Sequence, residues 1–224
     1  MALPIIETPK FFTKLPSDGL EIAFRPFTVK EQKNLMIVQQ GADDKTSMRA
    51  LVDCLTQCVE TENLKLASRP TIDFEWLFLQ IRAKSVGEVI ELSTKCGKCG
   101  SQFDFNLNIA QIEIPPFPKD RVFIKEDLEI TFRPVCLNDL LSVKDPQDLV
   151  ANCAKAIHYK GEDYTEFTKA EFLKFIEPLT ITEYALVDEY FKRTPSLTLK
   201  TERKCIKCGE INNIALQGIF NFFQ

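Results

Sequence analysis

The chain alternates apolar and polar residues, shifts to helical spacing, and alternates again, and it runs through this cycle twice. Phe11 to Leu15 and Leu20 to Phe24 read as short strands joined by the turn residues Pro16-Ser17-Asp18-Gly19. Pro26 stops the second strand. Thr28 then caps a helix from Val29 to about Gln40, with Glu31 at the capping-box position, and Gly41-Ala42-Asp43-Asp44 ends it. A second helix, about Ser47 to Glu60, gathers Leu51, Val52, Leu55 and Val59 on one face. After a polar link (Thr61 to Pro70), a third runs from about Asp73 to Lys84, with Phe74, Leu77, Phe78 and Ile81 as its stripe and Trp76 beside it as a core residue. Val89 to Thr94 and Gln102 to Ile109 alternate as strands.

The second passage begins after Pro115-Pro116-Phe117-Pro118, where three prolines in four residues rule out helix. Arg121 to Lys125 and Leu128 to Phe132 predict a hairpin around Glu126-Asp127, and Pro134 stops it. Helical runs follow near Leu137 to Val143 and Gln147 to Tyr159. Thr168 opens a helix with Glu171 completing its box, and Thr182 to Arg193 carries Tyr184, Val187, Asp188 and Phe191 at helical spacing. Strands at Ser196 to Glu202 and Ile211 to Leu216 precede an apolar tail, Ile219-Phe220-Asn221-Phe222-Phe223.

The two passages match in sequence. Leu20-Glu21-Ile22-Ala23-Phe24-Arg25-Pro26 agrees with Leu128-Glu129-Ile130-Thr131-Phe132-Arg133-Pro134 at six of seven positions, 108 residues apart. Pro70 and Pro178 share that spacing, and Cys96 and Cys205 lie 109 apart. Such agreement points to an internal duplication. The expected fold is α+β: a duplicated unit of hairpin, helices and knuckle hairpin, with the halves paired about a pseudo-two-fold axis. The expected division is a first repeat over 1–114, a linker over 115–120 and a second repeat over 121–224. The apolar strand in each half ends on an arginine, Arg25 or Arg133, for which a salt bridge to a helix carboxylate is expected.

The candidate chemistry lies in a repeated cysteine pair. Lys95-Cys96-Gly97-Lys98-Cys99-Gly100 and Lys204-Cys205-Ile206-Lys207-Cys208-Gly209 each sit between two strand-like runs. A C-x-x-C-G turn at a hairpin tip has the form of a zinc knuckle: two thiolates reach one ion, and the glycine allows the tight turn. Structural zinc takes four ligands, so Cys96, Cys99, Cys205 and Cys208 are expected to form one tetrahedral zinc ribbon-like site, with one Zn per chain. That brings Cys96 and Cys205 together in space. Two disulfides, four idle thiols and a redox dithiol are the competing readings. Strand-forming residues follow each pair instead of the helix that a redox motif opens, which disfavours the last. Cys54, Cys58, Cys136 and Cys153 lie among apolar neighbours and read as buried hydrophobes.

Composition narrows the field. At 224 residues and 45% hydrophobic, the chain has enough material for a sizeable core. The net charge of −4 argues against a general polyanion binder. Lys95, Lys98, Arg203, Lys204 and Lys207 flank the knuckles, so a zinc-ribbon nucleic-acid adaptor is the alternative reading. The N-terminus carries no basic flank or apolar run of a secretory leader, and no apolar run is long enough to span a membrane. Eight cysteines in a chain too long for a secreted disulfide scaffold, four of them read as buried hydrophobes, lead to the expectation of a reducing cytoplasm. Catalytic motifs are lacking: the single histidine, His158, falls on a predicted helix face, and there is no phosphate loop, nucleophile elbow or H-E-x-x-H. Four thiolates would close the zinc site to substrate.

The segment KLPSDGLEIAFRPFTVKEQKNL (Lys14 to Leu35), with ELSTKCGKCG and KCIKCGE downstream, resembles the baseplate hub assembly proteins of T-even-like contractile-tailed bacteriophages. The resemblance implies a non-enzymatic structural or assembly role with other tail and baseplate hub proteins as partners. It implies action in the host cytoplasm during assembly, and it fits both a virion tail baseplate component and a transient factor. No nucleic acid, membrane or small-molecule substrate is implied. The apolar tail, with Phe220, Phe222 and Phe223, is the candidate partner-binding segment.

Overall fold

The computed structural model describes residues 6–39, 44–143 and 145–218. The predicted tail residues Phe220, Phe222 and Phe223, and the segment 41–43, lie outside the described residues. The described residues fall into two compact units, one formed by those up to 66 with 72–115 and 196 onward, the other by 67–71 and 116–195. This differs from the expected division into halves at 115–120: the second knuckle hairpin is grouped with the first, not with residues 121–195.

In the first unit, β1 (Phe11–Lys14) and β2 (Glu21–Phe24) form an antiparallel hairpin, followed by α1 (Val29–Gln39), α2 (Asp44–Cys58) and α3 (Thr71–Val86). β3 (Val89–Lys95) pairs with β4 (Gln102–Asn108), carrying the first knuckle at its tip. α3 is apolar on most sides, burying Ile72, Phe74, Leu77, Phe78, Leu79 and Ile81, as a helix enclosed by its unit must. Trp76 is half-buried, its indole N–H donating to Thr13 Oγ1 at 3.0 Å.

In the second unit, β5 (Arg121–Lys125), β6 (Leu128–Phe132), β7 (Ala154–Tyr159) and β8 (Glu162–Tyr164) form a four-stranded antiparallel meander in that order. α4 (Leu137–Ser142) and α5 (Pro146–Cys153) lie between β6 and β7, and α6 (Lys169–Ile176) and α7 (Ile181–Lys192) follow β8. Fully buried Phe132 centres this core, with the rings of Phe191, Tyr190 and Phe172 at 5.2, 5.3 and 6.4 Å. The chain then returns to the first unit as β9 (Thr198–Lys204) and β10 (Ile211–Gln217), an antiparallel pair carrying the second knuckle.

One predicted helix is corrected. Gln147 to Tyr159 is not continuous: α5 ends at Cys153, and Ala154–Tyr159 pairs with β6 as β7. Lys160 and Gly161, at φ 52° and 84°, make the turn into β8. The β-sheet ladder to β6 outweighs the local helical pattern. His158 therefore sits on a strand, not a helix, with Nδ1 2.8 Å from Asp163 Oδ1 and its side chain half-exposed.

Both units are braced by an arginine–carboxylate clamp where the hairpin meets its first helix. Arg25 reaches Glu31 Oε1 at 3.1 Å and Oε2 at 3.3 Å, and donates to the carbonyls of Pro26 and Gln57 at 3.0 Å each. Arg133 reaches Asp139 Oδ2 and Oδ1 at 2.7 and 2.8 Å, and donates to the carbonyls of Pro134 and Asn152 at 3.3 and 2.8 Å. The backbone N–H of each arginine bonds a cysteine carbonyl at 2.9 Å, Cys58 in one case and Cys153 in the other. The expected salt bridges to helix carboxylates are thus present in both units.

Each carboxylate also accepts from the cap of its helix. Glu31 takes the Thr28 backbone N–H at 2.8 Å and its hydroxyl, and Asp139 takes the Cys136 N–H and thiol at 3.0 and 2.9 Å. Desolvation pushes Glu31 up from the usual 4.5, but the Arg25 and Thr28 hydrogen bonds win and hold it at about 2. Asp139 is likewise raised by desolvation, then drawn down from 3.8 to about 2 by Arg133 and Cys136. These depressed values stabilise the fold above the unfolded pKa, by about 2–3 kcal/mol per carboxylate. That stability is lost as pH falls from about 4 through 2. Acid unfolding followed by circular dichroism should show this loss. Glu31→Gln or Asp139→Asn should lower stability at pH 7 by about 2–3 kcal/mol and flatten the acid limb.

Candidate metal centre

The two knuckles share one backbone geometry. In the first, the Cys96 N–H bonds the Ser101 carbonyl and the Gly100 N–H bonds the Cys96 carbonyl, both at 2.9 Å. In the second, the Cys205 N–H bonds the Glu210 carbonyl at 2.7 Å and the Gly209 N–H bonds the Cys205 carbonyl at 2.9 Å. Gly100 and Gly209 take φ of 68° and 76°, a left-handed conformation that L side chains rarely adopt, so glycine is needed at that point.

Contacts at the hairpin stems bring the knuckles together. Glu113, just past β4, exchanges two backbone hydrogen bonds with Thr198 at the start of β9, at 3.0 and 3.3 Å. On α3, largely buried Glu75 accepts from the Leu197 N–H at 2.7 Å and the Ser196 hydroxyl at 3.0 Å. Nearby, Asp73 accepts from the Ser17 N–H and hydroxyl at 2.9 and 2.6 Å, fixing α3 to the turn between β1 and β2. Further up the stems, the Arg203 guanidinium lies 5.6 Å over the Phe105 ring.

All four sulfurs meet at the tips. Their Sγ atoms lie within 4.8 Å of one another, with Cys96 to Cys208 at 3.6 Å and Cys99 to Cys205 at 3.8 Å. A disulfide needs about 2.05 Å, so these are separate thiols. Four sulfurs about 2.3 Å from one zinc define a tetrahedron with edges near 3.8 Å. The 3.6 and 3.8 Å separations fit that figure. Cys96 and Cys205 are buried against Phe103, whereas Cys99 and Cys208 are exposed. The expectation that Cys96 and Cys205 lie close despite their separation in sequence describes this arrangement.

Proton sharing in the cluster is uneven. A hydrogen bond from Ser101 is the largest influence lowering Cys205 to about 6, aided by the backbone N–H groups of Cys208 and Lys207. Ser101 also lowers Cys99. The Glu210 backbone pulls Cys208 down, but desolvation and the other three sulfurs push it up to about 12. Such a cluster holds fewer than four negative charges on its own, and a divalent cation would displace the shared protons.

Sequence reasoning missed the polar residues around the sulfurs. Asn212 on β10 accepts the Gly97 N–H at 2.9 Å, and its amide donates toward Cys96 Sγ at 3.7 Å. Ser101 Oγ lies 2.9 Å from Cys99 Sγ and 3.5 Å from Cys205 Sγ. Lys98 pairs with Glu210 across the knuckles at 2.9 Å, so one of the flanking lysines is engaged within the protein. The only hint in sequence was the place of these residues beside the C-x-x-C-G turns.

The other four cysteines are buried, as expected. Burial pushes Cys153 up to about 12 and raises Cys136, whereas Cys54 lowers its neighbour Cys58 through a hydrogen bond.

The fold and the cluster define a mixed α+β protein in which two hairpins, far apart in sequence, meet through four cysteines. Residues 8–224 match the family described as T4 bacteriophage base plate protein, and the chain belongs to that family. It is 25% identical over 205 residues to Baseplate hub assembly protein gp26 of Enterobacteria phage T4, covering 89% of this chain and 91% of that protein. No solved structure is significantly similar to it. Among the described residues, no helix is long and apolar enough to cross a membrane.

In the metal-free protein, thiol-reagent titration should find Cys99, exposed and lowered by its hydrogen bond with Ser101, reacting ahead of Cys208, which is exposed but whose thiol is pushed up. Cys54, Cys58, Cys136 and Cys153 should react only on unfolding, as mass spectrometry of the labelled peptides would show.

Proposed function

We propose that the protein is a non-enzymatic structural or assembly component of a phage tail baseplate hub. One structural zinc, held by Cys96, Cys99, Cys205 and Cys208, ties its two knuckle hairpins together. The observation carrying the metal reading is the pair of sulfur–sulfur separations, 3.6 and 3.8 Å, between thiols contributed by both hairpins. Thiolate ligands select zinc over hard cations, and four of them leave no open position for a substrate. The hub role rests on the family and on the name of the phage T4 relative.

The same reading includes an origin by duplication. Its support is the six-of-seven sequence match and the paired clamps of Arg25 with Glu31 and Arg133 with Asp139. Partners would be other hub and tail proteins, met in the host cytoplasm during assembly and in the tail baseplate. The tail carrying Phe220, Phe222 and Phe223 is the segment proposed to meet them. Removing those three aromatic side chains should weaken capture of hub proteins without altering metal content.

Elemental analysis of the purified protein should find one zinc per chain; no metal, or two ions, contradicts the shared site. With free zinc 1,000-fold above its Kd, the ion should add about 4 kcal/mol to stability, and chelation should remove it. Cys205→Ser should lower hydrogen-exchange protection in both knuckle hairpins, whereas loss confined to β9 and β10 argues against one shared ion. Pull-down from infected cells should recover tail proteins. Salt-titrated DNA and RNA binding at low ionic strength should be absent, and its presence would favour a nucleic-acid adaptor.

A further inference from the structure

The polar groups around the four sulfurs are arranged crosswise. Ser101 stands just past the first knuckle, yet its Oγ reaches Cys205 of the second knuckle at 3.5 Å as well as its own Cys99 at 2.9 Å. Asn212 stands just past the second knuckle, yet its amide reaches Cys96 of the first at 3.7 Å. Cys96 and Cys205 are the two buried sulfurs, so each is approached by a polar side chain from the opposite hairpin.

The orientation of the Asn212 amide is set by its neighbours. The Gly97 N–H at 2.9 Å requires an acceptor, which places Oδ1 there, and Nδ2 then donates to the Glu210 carbonyl at 3.1 Å and toward Cys96. Both side chains are half-buried, which limits competition from water. A hydrogen bond donated to a thiolate withdraws charge from sulfur and fixes where its lone pairs point. Residues placed this way behind metal ligands typically change metal affinity by 10- to 100-fold.

We infer that Ser101 and Asn212 are a crossed pair of positioning residues. Asn212 donates toward the buried cysteine of the opposite hairpin, Ser101 bridges Cys99 and Cys205 with its one hydroxyl proton, and together they set how tightly the four-sulfur site grips a thiophilic divalent cation. The inference rests on the metal-site reading above. It adds that affinity depends on the fit between the hairpins as well as on the four ligands.

The test uses the full chain loaded with Co²⁺, whose sulfur-to-metal charge-transfer band reports the thiolates, and with Zn²⁺ in competition with a chelator. Asn212→Ala and Ser101→Ala should each weaken metal binding about 10- to 100-fold. Each should also move the charge-transfer band to longer wavelength, because sulfur relieved of a hydrogen bond gives up its electrons more easily. Asn212→Asp keeps an acceptor for the Gly97 N–H but offers no donor to Cys96, and should show the same band shift. Asn213→Ala, at the exposed neighbouring position on β10, should leave affinity and spectrum unchanged. The inference is overturned if the Ser101 and Asn212 variants bind within twofold of the parent with an unmoved band, or if Asn213→Ala loses as much. A parent protein that takes up neither metal overturns the metal-site reading itself, and the inference with it.

Discussion

Four thiols gathered within 4.8 Å of one another are the constraint on which the rest of this structure turns. The two pairs lie about 109 residues apart in sequence, and ordering such a segment costs conformational entropy that no single knuckle can offset. Much of that ordering is done by contacts below the sulfurs: the paired backbone bonds between Glu113 and Thr198, and the grip of Glu75 on Ser196 and Leu197. The hairpins therefore reach the cluster already aligned. An ion binding there would meet a site largely formed by the fold, unlike small zinc peptides in which metal must organise the whole chain.

The same contacts explain how 80 residues can stand between the two hairpins. Residues 116–195 leave the first unit beside the point where they re-enter it, because Glu113 and Thr198 are directly paired. An insertion whose ends are adjacent places little strain on its host. Within each unit, the arginine after the hairpin bonds a carboxylate, two carbonyls and, through its own N–H, the cysteine carbonyl at the end of the second helix. One guanidinium thus fixes a strand, a helix start and a helix end, and proline at the next position ends the strand without leaving an amide unpaired.

Much of this was legible in the sequence, and the failures share a physical cause. The hairpins were readable because two-residue alternation and turn residues are local signals, and β5 and β6 fall on the expected residues. The Glu31 side chain's return to Thr28 and the capping box at Thr168 were readable for the same reason. The stretch Gln147 to Tyr159 was misread because a short apolar run suits helix or strand, and its second half is decided by pairing with β6. Residues 196–217 group with the first unit through hydrogen bonds to Glu75 and Glu113, which no local pattern announces. The cysteine spacing pointed to the cluster, but Ser101 and Asn212 acquire their place only from the register between hairpins.

The cluster and the family together support the proposal of a baseplate protein whose two knuckle hairpins one shared ion would hold together. The most direct test of that claim is X-ray absorption at the zinc edge of the purified, zinc-loaded protein. The account predicts a first shell of about four sulfur atoms near 2.3 Å and no nitrogen or oxygen ligand. A shell containing nitrogen or oxygen, or only two sulfurs per zinc, would contradict a single ion shared by both hairpins.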